Sequence, residues 1–295
     1  MQREVTPRVA RIALWVLTAW YLTARVLQIF PGRTSLLIVV SWHVIPLALF
    51  ALIHGALFYR VRGIITFFVL CLLIGNLFEN LSIWTGFPFG HYHFTEVMGL
   101  KIFHVPVLLG VAYVGMGYLS WTLGTLIVGN ARGPLKGFRV IELPIVASLA
   151  MVGWDLSMDP VWSTVLRAWI WHDGGPYFGV PVSNFFGWYL TVFCIFQLFA
   201  IYLRNRADQI HLIATGYWDL AVLTYGISAA GNLLLLLPQS GYSTVLDATG
   251  MEWSVRDITR VCALVSVFVM GAFTVVAWTR VPSCAAGIAE PEEKG

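Results

Sequence analysis

Charge is scarce in this chain. Lys, Arg, Asp and Glu make up 11% of its 295 residues, less than half of the roughly 25% found in soluble domains. With 58% hydrophobic residues and a mean hydropathy of +0.78, a water-soluble globule is excluded and an integral membrane protein is required. The net charge is only +3 and forms no basic stripe, so nothing points to nucleic acid as a partner. Of the four cysteines, Cys71, Cys194 and Cys262 lie inside apolar runs and Cys284 in the tail. None has the spacing of a metal knuckle or a disulfide framework; they read as small hydrophobes. Only three lysines occur, none inside an apolar run, which removes the Schiff-base anchor of a retinal-binding bundle. Histidine boxes of the HxxxH or HxxHH kind are missing. His91, His93, His104 and His172 make a thin ligand set, and no metal is expected.

Long apolar runs, by contrast, are plentiful. Stretches of the roughly 20 residues needed to cross a bilayer fall at 9–30, 35–59, 63–84, 102–128, 138–157, 184–203, 212–237 and 258–280. They predict an all-α, polytopic membrane bundle of about eight helices. Turn signals such as Pro31-Gly32, Gly133-Pro134 and Pro238 with Gly241 stand between them. The first run exceeds a signal-peptide core and lacks a small-x-small exit, so it is expected to stay as the first helix. With this alternation, twelve Lys and Arg fall on the side of the N-terminus and six on the other. The positive-inside rule then puts both termini in the cytoplasm of a multi-pass cell-membrane protein. Residues 1–281 are expected to form one transmembrane domain. Residues 282–295, with Glu290, Glu292 and Glu293, are expected to form a disordered cytoplasmic tail.

One stretch stands apart from this background, Trp154 to Trp188, with three carboxylates (Asp155, Asp159, Asp173) and five tryptophans. An interfacial aromatic belt accounts for the tryptophans. It does not account for carboxylates inside a span, which are functional hypotheses by default. Asp155 and Asp159 are four apart and share a helical face; Pro160 is expected to end the helix just beyond them. By depth, Arg25, Gln28, His43, Asn76, Glu79, Asn80, Asn184 and Asn232 fall near the same end of the bundle, which predicts a single polar cavity there. Two carboxyls in a poorly solvated place leave at least one as the neutral acid, unless Arg25 or His43 pairs with it. Asn184 is expected to cap its helix. Toward the opposite end lie His54, Glu142, expected to pair with Arg139 three residues earlier, and Asp219, about 10 Å into its helix at 1.5 Å per residue. The aromatic rings around Asp155 can each steady a cation by about 0.5 to 2 kcal/mol, or line a conjugated or polyprenyl chain.

Several spaced motifs carry a resemblance. They are Glu79 with Thr85-Gly-Phe-Pro-Phe-Gly-His-Tyr92, then Trp154-Asp155 with Asp159-Pro160, then Trp169-x-Trp171. The last leads into Gly175-Pro-Tyr-Phe-Gly-Val-Pro-Val-Ser-Asn184-Phe-Phe-Gly-Trp188. Over roughly residues 60 to 190 the chain resembles the carotenoid-biosynthesis membrane-protein family that includes carotenoid 1,2-hydratases of the bisanhydrobacterioruberin and γ-carotene types. The resemblance implies a hydro-lyase without cofactor or metal. Such an enzyme adds water to the terminal 1,2 (1′,2′) double bond of an acyclic ψ end group and gives a tertiary alcohol. An acyclic or monocyclic carotene is then the substrate and the lipid bilayer the setting; contact with other carotenoid-pathway enzymes is left open. The residues suit this chemistry, which needs a proton donor, shelter for a tertiary cation and a positioned water. A carboxylic acid kept neutral by its surroundings can be the donor. The roles expected are Asp155 as acid and Asp159 or Glu79 as water-positioning base. Trp154, Tyr177, Phe178, Asn184, Trp188, Phe89, Tyr92, Asn80, His43 and Arg25 are expected around the substrate.

Three other readings compete. A polyprenyl transferase or elongase would use Asp155 and Asp159 for a magnesium diphosphate, but a second aspartate motif is missing. A carotenoid cyclase begins with the same protonation and differs in adding no water. A carotenoid-binding or lipid-transport protein would place its polar groups nearer the bilayer midplane.

Overall fold

The computed structural model describes residues 8–30, 35–130, 135–204, 216–237 and 243–286. Among these residues seven helices are long and apolar enough to cross a membrane, and one of them, Leu36–Thr85, runs for 50 residues and is really two. At Arg60 the backbone leaves the helical region (φ 57°, ψ 170°) and the chain folds back. A methyl on Gly55 would strike the Ile64 side chain, while Leu47 and Leu72 meet one stretch of a neighbouring helix, at Gly115 and Gly110. A straight helix would hold Leu47 and Leu72 about 37 Å apart. Among the described residues there are therefore eight helices long enough to cross, the number that hydropathy predicts. They are α1 (Arg8–Leu27), α2 (36–59), α3 (61–85), α4 (Val107–Ile127), α5 (Arg139–Val165), α6 (Val182–Arg204), α7 (Tyr217–Leu236) and α8 (Val255–Val281). The last helix continues to Ala286, into the stretch expected to be a tail; residues 287–295 lie outside the described residues.

The most enclosed helix is α4. Its small residues let neighbours come close, as is usual where helices meet without a hydrophobic driving force: a Cβ on Gly115 would lie 2.9 Å from the Ala48 backbone nitrogen. Two prolines sit inside α5, and each frees the carbonyl four residues earlier. Gln197 Nε2 donates to Val140 O at 3.1 Å behind Pro144, and Tyr177 OH donates to Leu156 O at 2.9 Å behind Pro160. With that carbonyl satisfied, Pro160 does not end the helix as expected. The helix continues as a π turn over Val161–Val165, closed by Leu166 N to Val161 O at 2.9 Å.

The loops after α3 and α5 meet over one end of the bundle. Tyr92–Phe94 pairs antiparallel with Trp169–Trp171, with Tyr92 opposite Trp171 and Phe94 opposite Trp169. Because strand residues alternate between faces, those four rings turn inward and are buried, while His91, His93 and His172 face outward. A second ribbon, Thr244–Leu246 with Glu252–Ser254, leads into α8. Arg167 Nη2 reaches it at Leu246 O, 2.9 Å away.

Candidate functional site

Three buried carboxylates converge beneath the inward face of the first ribbon. Asp155 and Asp159 stand one turn apart on α5, and Asn184, at the start of α6, spans them. Its Nδ2 donates to Asp155 Oδ2 at 2.9 Å and to Asp159 Oδ2 at 2.7 Å. Asp159 Oδ1 accepts from Trp169 Nε1 at 3.0 Å and, more loosely, from Trp171 Nε1 at 3.5 Å. Glu79, near the end of α3, accepts from Tyr113 OH at 2.7 Å on one oxygen and from Tyr92 OH on the other. Asp155 Oδ1 is buried without a partner. Among the described residues no cation pairs with any of the three; the ion pairs are His91 with Asp173 and Lys101 with Glu96, both in loops. An ionised carboxylate out of water is costly unless it is paired or hydrogen-bonded. This cluster is held by neutral donors alone.

Glu79 and Asp159 line a narrow cavity, together with Asn184, Phe89, Tyr92, Phe94, Trp169, Trp171 and Trp188. Leu109, Met158 and Trp169 also border a larger, mainly apolar space that holds Trp154, Trp162, His43 and Arg25 on its wall. Trp188 stacks on Tyr113 with centroids 4.7 Å apart and meets Trp154 edge-on at 6.1 Å. The loop after α3 reaches this place because α6 has no side chain at Gly187, where a Cβ would lie 2.9 Å from the Pro88 carbonyl. Ser183 Oγ then holds Phe89 O at 2.8 Å.

Of the residues expected around a substrate, Asn184, Phe89, Tyr92 and Trp188 line the carboxylate cavity, and Trp154, His43 and Arg25 line the larger space. Asp155 lines neither. Tyr177 serves the Leu156 carbonyl. Phe178, at φ 55°, packs on Trp253 with centroids 5.5 Å apart. Asn80 holds its own helix at Asn76 O and the next loop at His104 N. Sequence reasoning missed Tyr113, which sits in an apolar helix with no motif around it. It read Trp169 and Trp171 only as rings, although their N–H groups serve Asp159.

Other expectations are corrected. The polar groups do not share one cavity: Arg25 turns away from the carboxylates, its Nη2 donating to Ser228 O at 3.2 Å and to Asn232 Oδ1. The Asn184 side chain does not cap its helix; both of its side-chain hydrogen bonds go to aspartates. Glu142 forms no ion pair with Arg139, whose Nη1 donates instead to Gly129 O at 3.2 Å. Asp219 lies in the first turn of α7, which follows Gly216 and starts at Tyr217, where the helix dipole favours an anion; the expected start at 212 lies outside the described residues. The loop imidazoles divide. His93 Nδ1 and His172 Nε2 are 2.7 Å apart, whereas His104 packs against Trp84.

No curated protein and no solved structure matches the chain. A family model described as carotenoid biosynthesis protein matches residues 34–242. That span extends past the motif-bearing stretch at both ends: it takes in His43, the three carboxylates and Asn232, and leaves out Arg25. The match covers well over half of the chain, which therefore belongs to the carotenoid biosynthesis protein family.

Proposed function

We propose that this member of the family is a hydratase that adds water to the terminal double bond of an acyclic carotenoid end group. The observation that carries the reading is the pair of carboxyls, Glu79 and Asp159, on the wall of one aromatic cavity with no cation on either. In the reaction a neutral carboxyl gives its proton to the less substituted alkene carbon. Its O–H bond breaks as the C–H bond forms, and the charge falls on the tertiary carbon, where aromatic faces shelter it. Water bonds to that carbon and loses a proton to a carboxylate, which balances the addition. This reading moves the acid from Asp155 to Asp159, which lines the cavity, and gives the water to Glu79. Asp155, joined to Asp159 through Asn184, is a positioning residue. A prenyl diphosphate is disfavoured because neither Lys nor Arg lines the carboxylate cavity.

On the Lys and Arg asymmetry, the ribbon end of the bundle faces away from the cytoplasm. A reporter fused in the 86–106 loop is expected to behave as external. An internal result would reverse the orientation and leave the chemistry untouched.

The deciding assay supplies purified protein with an acyclic carotene, anaerobically, in water labelled in both oxygen and hydrogen. The expected product is heavier than its substrate by one water, with labelled oxygen at the tertiary carbon and one solvent hydrogen on its neighbour. A product isomeric with the substrate would make the protein a cyclase. A requirement for dioxygen as the source of the oxygen atom would end the hydratase reading.

A further inference from the structure

The carboxylate cavity and the larger apolar space are separate, and three residues stand in the walls of both: Leu109, Met158 and Trp169. For a chain lying in the apolar space to bring its end to Glu79 and Asp159, part of that shared wall has to give way. The three are not equally free to move. Trp169 is tethered through Nε1 to Asp159 Oδ1 at 3.0 Å, and Leu109 is branched and buried. Met158 is unbranched, with three rotatable bonds and a polarizable thioether, the kind of side chain that adapts most readily to a changing space. Among the described residues it is held by packing alone, whereas the thioethers of Met151 and Met270 accept hydrogen bonds.

Met158 also has somewhere to go. A third cavity, between α1, α2, α5, α7 and α8, is lined by Leu27, Val39, Val161 and Asn232 together with Trp162 and Met158. Met158 is the one residue on the walls of all three cavities. Helix α5 places it there: Trp154, Met158 and Trp162 follow at intervals of four, share a helical face and line the apolar space, while Asp159, the next residue along, lines the carboxylate cavity. We propose that Met158 is a specificity-determining residue: its side chain moves toward the third cavity, joins the other two, and so admits the end of an elongated apolar chain to the carboxylates. The inference rests on the hydratase reading for what happens to that end, and on the cavity walls alone for how the chain arrives. An alkene no longer than the end group lets Met158 close behind it. A long chain holds the side chain aside for as long as it is bound, so Met158 bears on long substrates far more than on short ones.

Two variants change this partition in opposite directions. Met158→Phe puts a ring in place of the flexible chain, and Met158→Ala takes the partition away. The purified protein in detergent is given lycopene, an acyclic carotene, or 2-methyl-2-butene, the end group without its chain, and kcat/KM is measured for each. The ratio of the two values cancels differences in folded fraction between variants. In Met158→Phe the ratio of lycopene to butene is expected to fall roughly tenfold, the scale on which misfit in an apolar pocket discriminates between substrates; in Met158→Ala it is expected to hold or rise. Met158→Ile, stiff at χ1, serves if the Phe variant purifies poorly and is expected to lower the ratio as well. A ratio that falls in Met158→Ala as it does in Met158→Phe is what a residue that merely packs would give, and would overturn the proposal, as would a ratio unchanged in both Phe and Ile variants. Lycopene binding, read from the circular dichroism that a polyene acquires in a protein and lacks in a micelle, separates this inference from the reaction. The expected order is the same, with Met158→Phe weakest and Met158→Ala at least as tight as the wild type. Equal affinity in all of them, or no binding by the wild type, would overturn the inference. A protein that binds lycopene in the expected order yet hydrates neither alkene would retire the hydratase reading and leave the role of Met158 standing.

Discussion

Two buried polar clusters occupy this bundle, and they are finished to different degrees. Around His54 every group is answered. Nδ1 meets Tyr118 OH at 2.7 Å, Nε2 meets Tyr217 O at 3.0 Å, and Tyr217 OH returns to His54 O at 2.7 Å. The ring lies flat on Tyr217, centroids 3.7 Å apart, and His54 lines none of the cavities described above. Around Asp155, Asp159 and Glu79 the hydrogen bonds are as numerous, but one carboxyl oxygen has no partner and two of the three acids face open space. Burial and hydrogen bonding alone do not separate a packing motif from a site. What separates them is a cavity wall: Glu79 and Asp159 line one, and His54 lines none of those described.

If that contrast is correct, substitutions in the two clusters should fail in different ways. The largest effect is expected for Asp159→Asn, a loss of about 10² to 10⁴ in rate, the usual contribution of an acid or base, with the protein still in the membrane. Wild-type turnover by this variant would remove Asp159 from the chemistry. Asp155→Asn should lose less, roughly ten- to a hundredfold, because it acts through Asn184; a loss as large as that of Asp159→Asn would restore Asp155 as the acid. Next comes Tyr113→Phe, which takes one donor from Glu79 and should slow product formation by about tenfold. Its melting temperature should also fall modestly, since one buried oxygen of Glu79 loses its donor. In the closed cluster, His54→Leu should destabilise by about 1 to 3 kcal/mol, since it leaves buried partners unsatisfied. Activity per folded molecule should hold, and a rate defect in a well-folded His54→Leu would break the comparison. Glu142→Gln is the smallest, within about 0.5 kcal/mol of wild type and silent in activity, because Glu142 makes no ion pair.

Sequence reading was accurate along the helix axis and blind around it. Run lengths gave eight crossings, and depth placed Glu79, Asp155, Asp159 and Asn184 at one level, where they do meet. Depth also put Arg25 there, yet Arg25 faces Asn232 and Ser228 on α7. Nothing in one-dimensional spacing says which neighbour a helix face will meet. The same limit hid Tyr113, whose partner Glu79 lies 34 positions away. Pro160 misled for a different reason. Proline removes one hydrogen bond, but whether a helix ends there depends on who takes the freed carbonyl, and that is Tyr177, 21 positions away from Leu156.

The ribbon over the carboxylates gives the two loops that form it a parity. Tyr92 and Trp171 point inward while His93 and His172 point outward, and sliding either strand by one residue exchanges the faces. A single residue inserted before Tyr92 would therefore bring His91 and His93 over the acids in place of Tyr92 and Phe94, and one deleted before Trp169 would bring Ile170 and His172 in place of the two indoles. A change of two residues would restore the lining. Loop length at this end of the molecule behaves as an odd-or-even setting, and lengthening these loops by whole strand repeats is the way to alter them while keeping the chemistry beneath.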